Sequence, residues 1–225
     1  HIMEHEYKIE QFKKMIASSK DIVFFGGAGV STESGIKDYR SEDGIYSTVK
    51  EYAISPEIIL SHDFLLDKPE IFYDFYRKYF LNGDAVPNAA HIAIAKFENV
   101  GKIKAIITQN VDGLHQKAGS KNVLEIHGST DKYYCVKCKK RFSANYVQLC
   151  DDVVPYCDKC GELVRPDVTL YGERLNADIE AKALGALSEA DMLIVGGTSL
   201  VVYPAALYLK YFMGKYIVII NHQGT

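Results

Sequence analysis

The chain has 225 residues, of which 48% are hydrophobic, 24% charged and 12% aromatic, and its formal net charge is −3. That length suffices for one large domain carrying a smaller satellite, and a charge so near neutral supplies no field for gripping a polyphosphate backbone or an anionic membrane. Apolar runs such as 192–195 and 217–220 fall far short of the ~20 residues a membrane span needs, and no segment has the pattern of a secretory signal, so a soluble cytoplasmic protein is expected.

His1 and Ile2 precede Met3 and read as residues left by a cloning vector. Residues 4–19 then place Ile9, Phe12, Met15 and Ile16 at the spacing of an amphipathic helix. Residues 21–25 read as a buried strand that runs into Gly26-Gly27-Ala28-Gly29. From about 41 to 86 the chain is dense in aromatics at helical spacing, including Phe72, Tyr73, Phe75, Tyr76, Tyr79 and Phe80, and looks like an inserted helical module. A helical pattern over Ala89–Asn99 precedes short apolar runs at Ile103–Thr108 and 123–126. A second insertion, about 131–163, holds every cysteine and six lysines or arginines. A helix over 177–190 and strands at 192–195 and Tyr216–Ile220 complete the chain. Strands alternating with helices predict an α/β fold, a parallel sheet with helices on both faces.

The five cysteines, Cys135, Cys138, Cys150, Cys157 and Cys160, lie within 26 residues. A disulfide-stapled secreted protein would spread them. Cys135-x-x-Cys138, eighteen residues, then Cys157-x-x-Cys160 instead fits a zinc ribbon, since two knuckles of two thiolates complete the tetrahedron Zn²⁺ accepts. With all four positions filled by sulfur, the expected role is structural. Redox dithiols, the alternative, would sit at a helix start after a strand, which Cys135 and Cys157 do not. Cys150 is read as a bystander.

Phe25-Gly26-Gly27-Ala28-Gly29-Val30-Ser31 follows a strand and is expected to open a helix, where backbone N–H groups meet a pyrophosphate at the positive helix end. The same glycines would equally serve tight strand–helix packing. A second turn, Gly196-Gly197-Thr198-Ser199, follows the 192–195 strand, and two such turns favour a dinucleotide lying across the crevice. The polar segment 37–44 stands where a dehydrogenase would end a second strand with an acid, so hydride transfer is disfavoured.

Six blocks in order now carry a resemblance. They are Gly27-Ala-Gly-Val-Ser-Thr-Glu-Ser-Gly-Ile36 with Asp38-Tyr-Arg-Ser41, Thr108-Gln-Asn-Val-Asp-Gly-Leu-His115, Glu125-Ile-His-Gly-Ser129, the cysteines, Arg165-Pro-Asp-Val168 with Tyr171-Gly-Glu173, and Gly197-Thr-Ser-Leu200 with Pro204-Ala-Ala206. From Tyr7 to Gln223 the chain closely resembles the sirtuins (Sir2 family, bacterial type), the NAD-dependent protein deacylases. The resemblance implies a large Rossmann-like domain (3–40, 87–130 and 164–225) and a small domain built from the helical insertion (41–86, with the cofactor loop) and the zinc insertion (131–163). It implies NAD as co-substrate, structural Zn²⁺, acetylated proteins or peptides as substrates, and nicotinamide, O-acetyl-ADP-ribose and free lysine as products. No nucleic acid or membrane partner is expected, and a monomer or weak oligomer is.

Carried over residue by residue, His127 would be the general base that activates the ribose hydroxyl, a task suited to an imidazole that is largely neutral at cytosolic pH. Asp112 would hold the nicotinamide amide with help from the Val111 backbone, while catalytic Asn110 and Gln109 would order the ribose and a water. Gly27, Ala28, Gly29, Thr32, Asp38, Tyr39 and Arg40 would line the phosphate and nicotinamide side; Gly197, Thr198, Ser199, Asn221 and Gln223 would face the adenosine half. Val168, Leu170, Tyr171, Gly172 and Glu173 on one side, and Leu200 and Val201 on the other, would pair an extended acyl-lysine peptide by strand addition.

The chain departs from the family at Lys37, usually proline, and at Tyr39, usually phenylalanine; neither is read as disabling. Desuccinylases and demalonylases of the family pair the acyl carboxylate with a tyrosine and an arginine three residues on. Here Tyr73 is followed by Tyr76, with Arg77 one step further and expected to point away from Tyr73, so deacetylation is favoured. Protein mono-ADP-ribosylation is the alternative transferase reading, and a weak NAD-binding or zinc-dependent interaction module the non-enzymatic one. Sirtuins usually continue for roughly one more strand and helix past the last strand here, so either a shortened chain or an open adenine side is expected.

Overall fold

The computed structural model describes residues 1–37, 52–81, 83–199 and 203–221. Its strands in chain order are β1 (Ile22–Gly26), β2 (Ile103–Thr108), β3 (Val123–Glu125), β4 (Gly128–Cys135), β5 (Arg141–Ser143), β6 (Val164–Val168), β7 (Met192–Gly196) and β8 (Tyr216–Ile220). The α-helices among the described residues are α1 (Ile2–Ser18), α2 (Pro56–Ile59), α3 (His62–Asp67), α4 (Pro69–Tyr79), α5 (Ala89–Asn99), α6 (Leu114–Lys117), α7 (Ala144–Gln148), α8 (Ala177–Glu189) and α9 (Ala205–Tyr208). None is long and apolar enough to cross a membrane.

The central strands β1 and β7 are apolar along their whole length because both faces of their sheet are covered. Ile22, Phe24, Ile106, Met192 and Ile194 pack with Ile94 of α5 and with Phe12, Met15 and Ile16 of α1. The alternate residues Val23, Phe25, Ile107, Leu193 and Val195 meet Ala183 and Leu187 of α8 and Tyr208 of α9. The five strands run parallel in the order β3-β2-β1-β7-β8. The chain therefore winds outward from β1 to β2 and β3, then crosses to the other side for β7 and β8. That reversal, between β1 and β7, opens a crevice at the carboxyl ends of the strands. Lys102 donates its ammonium to the carbonyls of Ile16, Ala17 and Ser19 and so closes the C-terminal end of α1 from a distant loop.

Residues of the two insertions share one core. Strands β5-β4-β6 form a three-stranded antiparallel sheet, and Leu65, Phe72, Tyr73 and Tyr76 of α3 and α4 pack against its Tyr133 and Val164 and against Val147 of α7. The polar ends of the buried tyrosines are satisfied inside: Tyr76 shares a 2.9 Å hydrogen bond with Tyr133, and Tyr73 donates to the Val164 carbonyl. Arg77 donates to the carbonyls of Val147, Asp152 and Val153, tying α4 to the segment beyond α7. The small sheet extends past residues 131–163 at both ends, since β4 begins at Gly128 and β6 runs to Val168.

One expectation changes. The glycine turn after β1 leads into two single-turn 3-10 helices, Ala28–Val30 and Thr32–Ser34, stopped by Gly35 at φ 86°. Their Thr-Glu-Ser-Gly sequence supplies a left-handed stop before an α-helix can propagate.

Candidate active site and metal centre

At the reversal point the two glycine turns interlock. Gly26 pairs with Gly196 across β1 and β7, and a Cβ on Gly29 would stand 2.6 Å from the Gly197 Cα. Gly197 has φ 62°, and its own added Cβ would reach 2.4 Å from the Val30 nitrogen. The N–H groups of Gly27, Gly29, Val30 and Ser31 donate to the carbonyls of Gly196, Gly197, Gly27 and Ala28. These glycines therefore serve close approach of two turns first, and Ala28 carries the backbone N–H of this loop that no described carbonyl takes. Thr32 donates to the Gly29 carbonyl, Gln109 Nε2 reaches Thr198 Oγ1 at 3.1 Å, and Asn221 Nδ2 donates to the Thr198 carbonyl at 3.0 Å. Ala28, Gly29, Thr32, Gln109, Asn110, Val111, Asp112, His127, Gly197, Thr198, Ser199 and Asn221 line one cleft with Val168, Leu170, Tyr171, Gly172 and Glu173. Asp38, Tyr39, Arg40, Leu200, Val201 and Gln223 lie outside the described residues.

His127 follows β3 at the floor of that cleft. Its Nδ1 lies 2.9 Å from the Gln109 carbonyl oxygen, which can only accept, so Nδ1 carries the proton and Nε2 is the basic nitrogen. Gln109 is itself held through its N–H to the Gly26 carbonyl.

Asn110 and Asp112 converge on a residue that sequence reasoning assigned no separate role, Ser31. Asn110 Nδ2 donates to the Gly27 carbonyl at 2.9 Å and to Ser31 Oγ at 3.3 Å. Ser31 Oγ donates to Asp112 Oδ2 at 2.7 Å, while Asp112 Oδ1 takes the Leu114 N–H at 3.0 Å. Behind Ser31 stands His91, fully buried. The Asn88 backbone N–H donates to its Nδ1, so its protonated Nε2 faces Ser31 Oγ at 3.3 Å. Burial lowers the His91 pKa, against a smaller raising effect of Asp112. A neutral imidazole, a hydroxyl and a carboxylate thus form one directed chain. His91 also completes a capping box with Asn88 at the start of α5, and that Asn-x-x-His pattern was the sequence signal available for it.

Two buried titratable groups flank the chain. His115 packs at 4.9 Å from His91 with neither ring nitrogen hydrogen-bonded among the described residues, and burial first, then His91, lowers its pKa to about 4. Burial likewise pushes the Glu125 carboxyl up to about 7, beside Lys132 and Gln116.

The segment 168–173 runs along the other wall. Thr169 donates to the His127 carbonyl at 2.8 Å, and Tyr171 forms a parallel bridge with Ser61, so the segment spans from the histidine to α3. The Glu173 carboxylate turns inward to Arg165.

Cys135, Cys138, Cys157 and Cys160 bring their sulfurs within 4.8 Å of one another, with Cys135–Cys160 at 3.4 Å and Cys138–Cys157 at 3.6 Å. Four thiolates at ~2.3 Å from a tetrahedral Zn²⁺ lie ~3.8 Å apart, so the donor set fits that ion. Backbone N–H groups of Lys137 and Cys138 point at the Cys135 sulfur and that of Lys159 at Cys157, the outer bonds a metal thiolate needs. Cys150 lies outside the cluster.

Arg77 corrects a second expectation. Its guanidinium lies 5.9 Å from the Tyr73 ring centroid instead of pointing away, because residues four apart on a helix share a face.

Fold and site define a Rossmann-like domain with a switch-point crevice and an inserted four-thiolate module. Residues 27–204 match the Sir2 family. A Clostridium acetobutylicum protein named NAD-dependent protein deacetylase is 54% identical over 218 residues, covering 97% of this chain and 89% of its own length. A Staphylococcus aureus protein of the same name is 44% identical over 223 residues, 99% of this chain and 90% of its own. A solved structure of Sir2 with a p53 peptide and NAD⁺ aligns with TM-score 0.83 at 40% identity over 96% of this chain and 88% of that one. Another, Sir2 bound to acetylated peptide, gives 0.81 at 38% over 96% and 87%. The chain belongs to the Sir2 family.

Proposed function

We propose that this protein is an NAD-dependent protein lysine deacetylase. The observation that carries the reading is the single cleft in which the basic Nε2 of His127, the Asn110–Ser31–Asp112 cluster and the backbone edge 168–173 meet. NAD, when bound, would supply the ribose carbon that takes the acetyl oxygen with loss of nicotinamide, and one water would be consumed in releasing lysine and leaving O-acetyl-ADP-ribose. Asp112 keeps lone pairs beyond those given to Ser31 and Leu114, and a carboxylate there accepts from a carboxamide NH₂. Asn110, held by Gly27, positions the ribose side. His127 accepts the proton of the ribose hydroxyl at Nε2; its bond to Gln109 sets the neutral tautomer that leaves Nε2 unprotonated beforehand and is kept by the imidazolium that forms. Residues 168–172 pair with the peptide main chain, which supports binding with little side-chain preference. The cysteines hold zinc as a structural cross-link of the small domain.

Acetyl is favoured over succinyl or malonyl groups. Tyr73 donates to the Val164 carbonyl, Tyr76 is paired with Tyr133, and Arg77 donates to the carbonyls of Val147, Asp152 and Val153, so this tyrosine–arginine pair is committed to the fold, whereas the carboxylate of a succinyl or malonyl group would need such a pair to be available. Mass spectrometry of acetyl- and succinyl-lysine peptides incubated with NAD tests both points. Loss of acetyl with nicotinamide release is expected; transfer of ADP-ribose to protein, or preferential loss of succinyl, would replace this reading.

A further inference from the structure

The route from β6 to Glu173 is wound around one buried cation. Arg165 is 6% exposed, and its guanidinium reaches four oxygens. Nε donates to the Pro166 carbonyl at 3.1 Å, Nη2 to the Val168 carbonyl at 2.9 Å, and the two terminal nitrogens grip the Glu173 carboxylate as a fork. Glu173 has two further partners: Oε1 accepts the Leu170 N–H at 2.8 Å, and Oε2 lies 2.9 Å from His62 Nδ1. Burial would raise this carboxyl, but Arg165, Leu170 and His62 outweigh it and hold it at about 2.

The ends of the loop so laced are tied to different parts of the molecule. At one end the Thr169 N–H donates to the His127 carbonyl, and Gly128, at φ 84°, lies so close to the strand beyond that an added Cβ would stand 2.0 Å from the Asp167 oxygen. At the other, Tyr171 donates to the Leu60 carbonyl at 3.0 Å and accepts from the His62 N–H at 2.9 Å. The loop is anchored on both sides, and its internal shape is set by the buried Arg165 and by the Glu173 carboxylate that turns in to it from the cleft wall. A bidentate arginine–carboxylate pair is suited to this because it fixes direction as well as distance.

We propose that Arg165 and Glu173 are positioning residues for the acyl-lysine peptide: their ion pair sets the distance between the peptide-pairing edge 168–172 and His127, and His62 ties that edge to α3. This rests on the deacetylase reading. Neither side chain needs to touch substrate, since both act through the backbone they shape.

The test is steady-state kinetics on zinc-loaded protein, with acetyl-lysine peptide and NAD varied separately, for wild type, Glu173→Gln and His62→Ala. Glu173→Gln keeps the shape and removes the charge. Its KM for peptide is expected to rise by roughly tenfold or more, with the KM for NAD held within about twofold. His62→Ala is expected to raise the peptide KM by roughly threefold, again leaving NAD unaffected. Both KM values rising together in a protein with wild-type zinc content, or an unchanged peptide KM in either variant, would overturn the proposal. Should Glu173→Gln not fold, His62→Ala decides alone, because that side chain is 45% exposed and its loss leaves the Arg165 fork in place. A wild type that leaves acetyl peptide untouched would sink the deacetylase reading itself, whereas an active wild type with unaffected variants sinks only this inference.

Discussion

His127 donates its Nδ1–H to the Gln109 carbonyl across 2.9 Å, and this one bond decides which nitrogen of the ring keeps a lone pair. On the proposed mechanism, His127→Ala removes the acceptor for the ribose proton. Deacetylation should fall by at least ~10²-fold, the ordinary contribution of a positioned base, while zinc content and melting temperature stay at wild-type values. Product formation followed by chromatography, beside a calorimetric scan, checks this; retained activity would move the base elsewhere.

Ser31→Ala leaves the Nε2–H of His91 and one oxygen of Asp112 without the hydroxyl that joins them. Unpaired buried polar groups cost about 1–3 kcal/mol, so the urea midpoint should drop accordingly. The KM for NAD should rise more than that for peptide, because Asp112 and Asn110 both lean on this serine. Equal effects on both substrates would speak for a purely structural role.

Metal removal should collapse the small domain. Its cross-link holds together residues 135–160, and Tyr133 and Val164 beside it carry the tyrosines of α4. Cys138→Ser, or prolonged chelation, should abolish zinc binding and lower the melting temperature, with deacetylation lost. Cys150→Ser should retain one zinc per chain by elemental analysis and full activity. A loss of zinc in that variant would make Cys150 a ligand.

Glu125 predicts a pH dependence of stability. Burial raises its carboxyl from 4.5 to about 7, so between those values the native state keeps a proton that the unfolded chain has released. The stability this lends is complete below the unfolded value and is lost as pH rises through about 7. Glu125→Gln never ionises. Relative to wild type it should gain on the order of 3 kcal/mol between about pH 4 and about pH 8, as read from urea midpoints at several pH values. A wild-type-minus-variant difference that stays flat across that range would show the carboxylate to be stabilised by some other contact.

What was legible in the sequence was what chain neighbours determine. The Cys-x-x-Cys spacing brings two sulfurs together whatever the rest of the chain does, and apolar runs bounded by glycine mark strands because a strand covered on both faces admits little else. Even the candidate site residues fall in short blocks, since 109–112 follow directly on β2 and His127 lies in the short turn between β3 and β4. The same local logic reached its limit at Ala28–Val30, where a strand-then-glycine pattern suits a 3-10 turn as well as an α-helix; at Arg77 helical phase points to the Tyr73 face, contrary to the expectation, and its carbonyl partners come from a distant segment.

Tertiary structure decided everything that joins distant segments. Gly29 meets Gly197 only because β7 is laid beside β1. Ser31 becomes the hub of Asn110, Asp112 and His91 because α5 and the end of β2 arrive on either side of it. The helical and cysteine-bearing insertions share one hydrophobic core, in which Phe72, Tyr73 and Tyr76 pack with Tyr133 and Val164. Glu173, a cleft residue by its position, turns inward to a buried arginine eight residues earlier. Those pairings depend on the summed packing of both faces of a sheet and on desolvated charges that must find partners, and no window of sequence contains either.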